Sequence, residues 1–390
     1  MSEVSQTQTD SATHGTTLRE LATLFLRLGT TAMGGPAAHI AMMEDEVVRR
    51  RRWLSREYFL DMLGATNLIP GPNSTEMAIH IGHQQAGFAG LVVAGACFIV
   101  PAVLIVLAVA WAYVRFGAMP SVRGLLYGVK PVIIAVVLQA LWGLGKTAIR
   151  SRILGALAAL SLVAAMLQVN DLVVLLGGGF VMIAIKGAMD KGGIRASIAI
   201  PSLAALGAGA AVVPFSLTKL FLFFLKVGSI LFGSGYVLLA FIRTDLVERL
   251  HWLSNAQLLD AVAVGQITPG PVFTTATFIG YLLGGVPGAI VATLGIFLPS
   301  FVFVSISGPL IPHVRRSPLA GAFLDGVNVG AWALMVAVTY YLGRDAIVDW
   351  ITLMLTALSA IALLRYRVNS TWLVLGGGAI GLALGPWLGR

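Results

Sequence analysis

The chain has 390 residues, of which 57% are hydrophobic and only 11% charged, and its mean hydropathy is +0.89. Soluble domains carry roughly 25% charged residues, so an ordinary water-soluble enzyme is excluded. The formal charge of +9 does not point to nucleic acid, because most basic residues fall in short loops between apolar runs, as the positive-inside rule expects of an all-α polytopic membrane protein.

In chain order, residues 1–17 form a polar tail whose opening MSEVSQTQTD lacks the basic region of a cleaved signal peptide. Apolar stretches long enough to cross a bilayer then recur to the C-terminus. The predicted spans are 18–42, 87–113, 122–145, 152–168 and 171–186, then 217–241, 286–310, 318–342, 346–363 and 371–388. The single cysteine, Cys97, excludes an internal disulfide or a thiolate metal cluster. The six histidines show no zinc spacing, so neither metal nor cofactor is expected.

The chain is written twice. Phe25–Glu76 aligns without gaps on Phe224–Thr275 at an offset of 199, with 16 of 52 positions identical. FLRLG, WLS and PGP of the first copy return as FLKVG, WLS and PGP. Beyond one deletion the offset is 198, and the triplets Gly177–Gly179 and Gly376–Gly378 restore 199. The division is a first repeat over 18–195, a connector over 196–216 and a second repeat over 217–390.

In each repeat a segment, 55–85 or 254–283, is interrupted by Pro-Gly-Pro. Proline removes an amide donor and obstructs the helix before it, so each segment reads as a discontinuous or re-entrant helix, tolerable at membrane depth only inside protein or beside a wet cavity. Five spans per repeat would invert one repeat relative to the other. Loop charge agrees, with Arg49–Arg52 and Arg56 in one early loop and a charge-balanced Arg243, Asp245, Glu248, Arg249 in its counterpart. The apolar stretch Ile198–Val213 is the exception, since a crossing there makes the repeats parallel. Inversion is the preferred reading.

Four predicted helix starts point inward: Gly34-Gly35-Pro36, Pro70-Gly71-Pro72, Gly233-Ser234-Gly235 and Pro269-Gly270-Pro271. Helix N-termini offer free N–H groups and partial positive charge. Asn73, Ser74, Thr75, Thr274 and Thr275 add donors suited to a small oxyanion, with Gly34, Gly35, Gly71 and Gly270 letting backbone approach it. The plainer alternative is that these glycines and prolines serve kinks and tight packing. Arg27 and Lys226, repeat mates inside apolar runs, are candidate substrate cations; alternatively they snorkel or neutralise the repeat mates Asp61 and Asp260. Proton-coupling candidates are Glu76, His80 one turn later, Lys130 and Asp325. Asn73-x-x-Glu76 also has capping-box spacing. The HIGH string His80–His83 lacks any nucleotide-binding context, Gly233-Ser234-Gly235 lacks a repeat-mate serine, and the glycine triplets with Gly377-x-x-x-Gly381 read as helix packing.

GGPAAHI (Gly34–Ile40), PGPNSTEMAIHIG (Pro70–Gly82) and PGPVFTTATFIG (Pro269–Gly280) together resemble the two-domain form of the chromate ion transporter family, from about Phe25 to the C-terminus. The sequence departs from the expected pattern at His83, where an aromatic such as Tyr281 is anticipated. The resemblance implies a carrier in a bacterial or archaeal inner membrane that exports chromate, coupled to protons, and gives chromate resistance. Some relatives are linked to sulfate. The competing readings are an importer of sulfate or another oxyanion, and, from another class, a passive channel or a lipid-handling protein. Partners are then the oxyanion, protons and the bilayer, with a homodimer as the candidate assembly. Alternating access is expected from one repeat rocking against the other.

Overall fold

The computed structural model describes residues 16–33, 35–190, 214–232, 235–315 and 317–388. Every regular element among them is helical. Gly34, Gly233, Ser234 and the stretch Ile198–Val213, on which one count of repeat parity turned, lie outside the described residues.

Hydropathy suggests one span over 18–42, but the chain makes two helices there, α1 (Leu18–Thr31) and α2 (Gly35–Glu44), with a π-helical turn at Asp45–Arg50. Gly35 takes φ +78°, open to glycine and strained for other residues, and Pro36 follows it into α2. Arg27 and Glu46, 19 residues apart, form an ion pair at 2.6 Å. A continuous helix would separate them by about 28 Å, so α1 and α2 fold back on each other. The second repeat does the same: α8 (Leu217–Ile230) and α9 (Leu238–Ile242), with the π-helical turn Arg243–Arg249, replace the span predicted at 217–241. There Lys226 pairs with Asp245, displaced by 199 from both members of the first pair.

A second hairpin follows in each repeat. α3 (Arg56–Thr66) stops before Pro-Gly-Pro, and helix resumes at Asn73 as α4 (Asn73–Phe116). The Tyr58 hydroxyl donates to Gln84 Oε1 at 2.8 Å, which requires the early limb of α4 to run back along α3. α4 bends again at Ala86–Gly87, where Gly87 has φ +58°, and Gly82 and Gly90 meet across the bend. Any side chain on either would overlap the facing backbone. α10 (Asn255–Ile267), a 3₁₀ turn at Val272–Thr274 and α11 (Thr275–Arg315) repeat this plan, with the bend at Gly284–Gly285.

Each repeat then supplies three further helices: α5 (Pro120–Ala148), α6 (Arg152–Met166) and α7 (Asp171–Asp190), then α12 (Pro318–Ala346), α13 (Trp350–Tyr366) and α14 (Ser370–Leu388). Five helices among the described residues, α4, α5, α7, α11 and α12, are long and apolar enough to cross a membrane, while α6, α13 and α14 are shorter apolar helices.

The helices sort into two bodies, and each body draws on both repeats. α1 packs on α4, α8 on α11, and α4 on α11, which makes a hairpin body. α6 and α7 pack on α12 of the other repeat, α13 and α14 pack on α5, and α5 meets α12, which makes a scaffold body. Glycine permits these exchanges. Gly128 lies against the Gly377 backbone and Gly326 against Gly178, so close that a Cβ would overlap the facing carbonyl. Within the scaffold, α5 and α12 run antiparallel: Trp332 donates to the Leu141 carbonyl at 3.0 Å, while Gly343 lies beside Ile134.

Candidate functional site

The four hairpin ends converge. The Gly71 amide donates to the Leu231 carbonyl at the end of α8 (2.8 Å), and the Gly270 amide donates to the Ala32 carbonyl at the end of α1 (2.9 Å). These bonds interchange under the offset of 199, so the Pro-Gly-Pro turn of each repeat rests on the first hairpin of the other. Both glycines hold positive φ, +141° at Gly71 and +89° at Gly270. A Cβ on Gly270 would lie 2.5 Å from Ala102 Cβ. Glycine is therefore needed for conformation and for close approach.

The first-repeat turn is chemically richer. α4 begins with Pro72 as its cap residue, and the amides of Thr75 and Glu76 both close onto the Pro72 carbonyl. The amides of Asn73 and Ser74 ahead of them are those a helix start leaves to outside acceptors. Ser74, Thr75 and Glu76 are buried, and Asn73 is half-buried with its amide group donating to Asn67 Oδ1 at 2.7 Å. Glu76 does not close a capping box with Asn73, because the cap position belongs to Pro72. Its carboxyl instead crowds the face of Gly71, where Ser300 Oγ of α11 also sits, 2.9 Å from where a Gly71 Cβ would be. Both Glu76 carboxyl oxygens, Thr75 Oγ1, Ser300 Oγ and His80 Nε2 are buried without a protein hydrogen bond, so Glu76 and His80 are not bonded to each other. Buried polar atoms seldom lack partners; here four of the five lie at the turn and His80 follows one helical turn further along α4.

The second-repeat turn satisfies itself. Thr275, the mate of Glu76, donates to the Val272 carbonyl, and Thr274 donates to the Pro271 carbonyl, each at 2.8 Å. Ala102 stands where the first-repeat turn has Ser300.

The predicted cations are engaged with carboxylates. Arg27, half-exposed, pairs with Glu46, which also receives Arg50 and Arg51 at 3.3 and 3.4 Å. Lys226 pairs with Asp245, which Arg249 also approaches at 2.9 Å. Lys226 does not pair with Asp260. Asp260, 3% exposed, instead takes Lys130 at 3.1 Å and the Tyr113 hydroxyl at 2.8 Å. This contact joins α10 of the hairpin body to α5 of the scaffold. Asp325 lies on α12 at a part-exposed position, 4.0 Å from Arg150. Ser300, Tyr113 and the pairing carboxylates Glu46 and Asp245 escaped sequence reasoning. The equal spacing of the two charge pairs was the available signal.

No described cluster of His, Cys, Asp and Glu could hold a metal ion. Two repeats with interrupted helices meeting end to end inside an apolar helical protein define a multi-pass membrane protein of the transport class. The profile described as chromate transporter matches residues 19–183 and again 218–382. The chain belongs to the chromate transporter family. It is 33% identical to the chromate transport protein of Cupriavidus metallidurans over 95% of this chain and 94% of that one. It is also 33% identical to the chromate transport protein of Pseudomonas aeruginosa, over 82% and 80% respectively. No solved structure matches the chain significantly.

Proposed function

We propose that the protein is a secondary active transporter that exports chromate across a bacterial or archaeal inner membrane, coupled to the proton gradient, and so confers chromate resistance. The reciprocal seating of the two Pro-Gly-Pro turns carries this reading, because it concentrates unwound backbone and unpartnered polar groups at one interior place. The amides of Asn73 and Ser74 and the hydroxyls of Ser74 and Thr75 would donate to the oxyanion, as helix starts commonly do. Gly35, Gly71 and Gly270 keep backbone within reach. Thr274 and Thr275, whose hydroxyls donate into their own turn, would join only after that turn rearranges. Arg27 and Lys226 bring charge pairs instead of bare charges, and Glu76 with His80 is a candidate proton carrier.

An inverted arrangement of the repeats is supported by the antiparallel run of the repeat mates α5 and α12. The repeats exchange helices, so access would alternate by displacement of the hairpin body against the scaffold body. The test is chromate accumulation in inverted membrane vesicles, with and without a proton gradient and with excess sulfate. Gradient-driven accumulation lost in Arg27→Gln and Glu76→Gln supports the reading. Movement of sulfate alone changes the substrate, and movement of neither anion removes the oxyanion function.

A further inference from the structure

The scaffold helix α12 has an inner and an outer face. Leu334, Val338 and Tyr341 lie with Ala240 and Arg243 of the hairpin body, and the Arg243 guanidinium stacks 3.9 Å from the centre of the Tyr341 ring. Val336, Tyr340, Gly343 and Ile347 fall on the opposite side of α12 by helical periodicity. With Ile134 and Leu138 of α5 they line an open groove of about 520 Å³. Leu138 and Tyr340 are exposed, so the groove opens away from the hairpin body, towards the bilayer. Its walls are apolar, and Thr339, which also lines it, directs its hydroxyl to the Met335 carbonyl at 2.6 Å. The twofold relation between the repeats shows what such a place looks like when filled. At the offset of 198, Ile134 corresponds to Trp332, Gly343 to Gly145 and Arg344 to Lys146. The Trp332 indole donates to the Leu141 carbonyl and lies 2.9 Å from where a Gly145 Cβ would be. The Lys146 ammonium sits over the Trp142 ring at 4.8 Å. On the groove side, a Cβ on Gly343 would still be 4.0 Å from Ile134, its nearest neighbour. Arg344, exposed in the last turn of α12, has no partner for its guanidinium among the described residues.

The length and charge of the groove define what fits it. Val336 to Ile347 rises about 16 Å along α12, close to one leaflet of a hydrocarbon core ~30 Å thick. A tyrosine and a guanidinium stand towards its helix-terminal end, where aromatic and long basic side chains reach the headgroup level. Guanidinium groups hold phosphate through paired N–H donors. Asp345 follows Arg344 in sequence but projects about 100° further round the helix, so it does not cap the groove. A second copy of the chain suits this face less well. A twofold axis along the membrane normal would bring Arg344 of both copies to one depth, like charge near like charge. We propose that the α5–α12 groove binds one anionic phospholipid, with an acyl chain against Ile134, Leu138 and Val336 and the phosphate on Arg344. The lipid then does for this side of the α5–α12 pair what Trp332 does for the other, filling the space between the helices.

The test is native mass spectrometry of the full chain in detergent, incubated with equal amounts of phosphatidylglycerol and phosphatidylcholine of the same acyl chains. One retained lipid per chain is expected, with phosphatidylglycerol favoured about fivefold, the margin one basic side chain supplies near a membrane. Arg344→Gln should bring the two lipids within about twofold of each other by removing that margin. Ile134→Trp copies the filled side and should retain neither lipid, with a thermal midpoint in lipid-free detergent at or above that of wild type. Should Ile134→Trp fail to fold, the wild-type competition and Arg344→Gln still decide. Equal retention of the two lipids by wild type, retention of neither, or a preference that survives Arg344→Gln overturns the proposal. So does a disulfide joining Leu138→Cys of two copies, made in a Cys97→Ser background in phosphatidylglycerol vesicles, because it seats a second copy in the groove.

Discussion

The two Pro-Gly-Pro hairpins share a plan and differ in what surrounds them. Asp61 and Asp260 occupy one repeat position, yet Asp61 is exposed while Asp260 is buried between a lysine and a tyrosine. At the turns, Glu76 and Ser300 stand unpartnered where Thr275 and Ala102 stand satisfied or apolar. Duplication supplied one geometry twice, but one copy contacts the scaffold through Asp260 and Lys130 while the other carries an exposed Asp61 and an unpartnered polar turn. The backbone symmetry therefore says where to look, and the broken chemical symmetry says which copy does what.

This contrast is most severely tested at Asp260. Asp260→Asn leaves Lys130 without its counter-charge, and loss of one member of a buried pair costs about 3–5 kcal/mol. A large fall in the thermal midpoint of detergent-solubilised protein is expected, with recovery in Asp260→Asn/Lys130→Gln. Next in size is Gly270→Ala, whose methyl would lie 2.5 Å from Ala102 Cβ at a positive φ. Overpacking of this kind costs about 1–3 kcal/mol, and the same midpoint measures it. Gly71→Ala also strains a positive φ, but its methyl meets the movable Glu76 side chain, so its fall in the midpoint should be smaller than that of Gly270→Ala and its loss of transport larger. Thr275→Val removes the hydroxyl bond to Val272 and should cost about 1 kcal/mol. Asp61→Asn should leave stability within about 0.5 kcal/mol of wild type. A destabilisation matching that of Asp260→Asn would show that the two hairpins are equivalent after all.

Much of this plan is legible in the sequence. The offset of 199 identifies the repeats, Pro-Gly-Pro locates the second hairpins, and the glycine triplets mark close helix contacts. The first hairpins are not read correctly, because a hydropathy window over 18–42 scores two short helices as it scores one long one. Gly34-Gly35-Pro36 announces a helix start there, but its direction becomes evident only once Arg27 is seen on Glu46. The neutralisation of Asp260 is further from reach. Its partner Lys130 lies in the other repeat, and periodicity along a chain carries no information about contacts between helices so distant in sequence. The unequal burial of Asp61 and Asp260 likewise follows from which helices pack against each hairpin, α10 meeting α5, α12 and α14.

The exchange of helices between the repeats also constrains how the protein is made. α7 ends at Asp190, but α12, against which it packs, is not complete until Ala346. At about 5–20 residues per second of synthesis, the glycine-lined face of α7 waits roughly 8–30 s for its partner. During that interval it faces lipid, an insertion factor or the same helix of another nascent chain. Expressed as two separate pieces, each half would lack the surface that stabilises the other. Co-translation of both in one cell should rescue an assembly that mixing the purified halves does not.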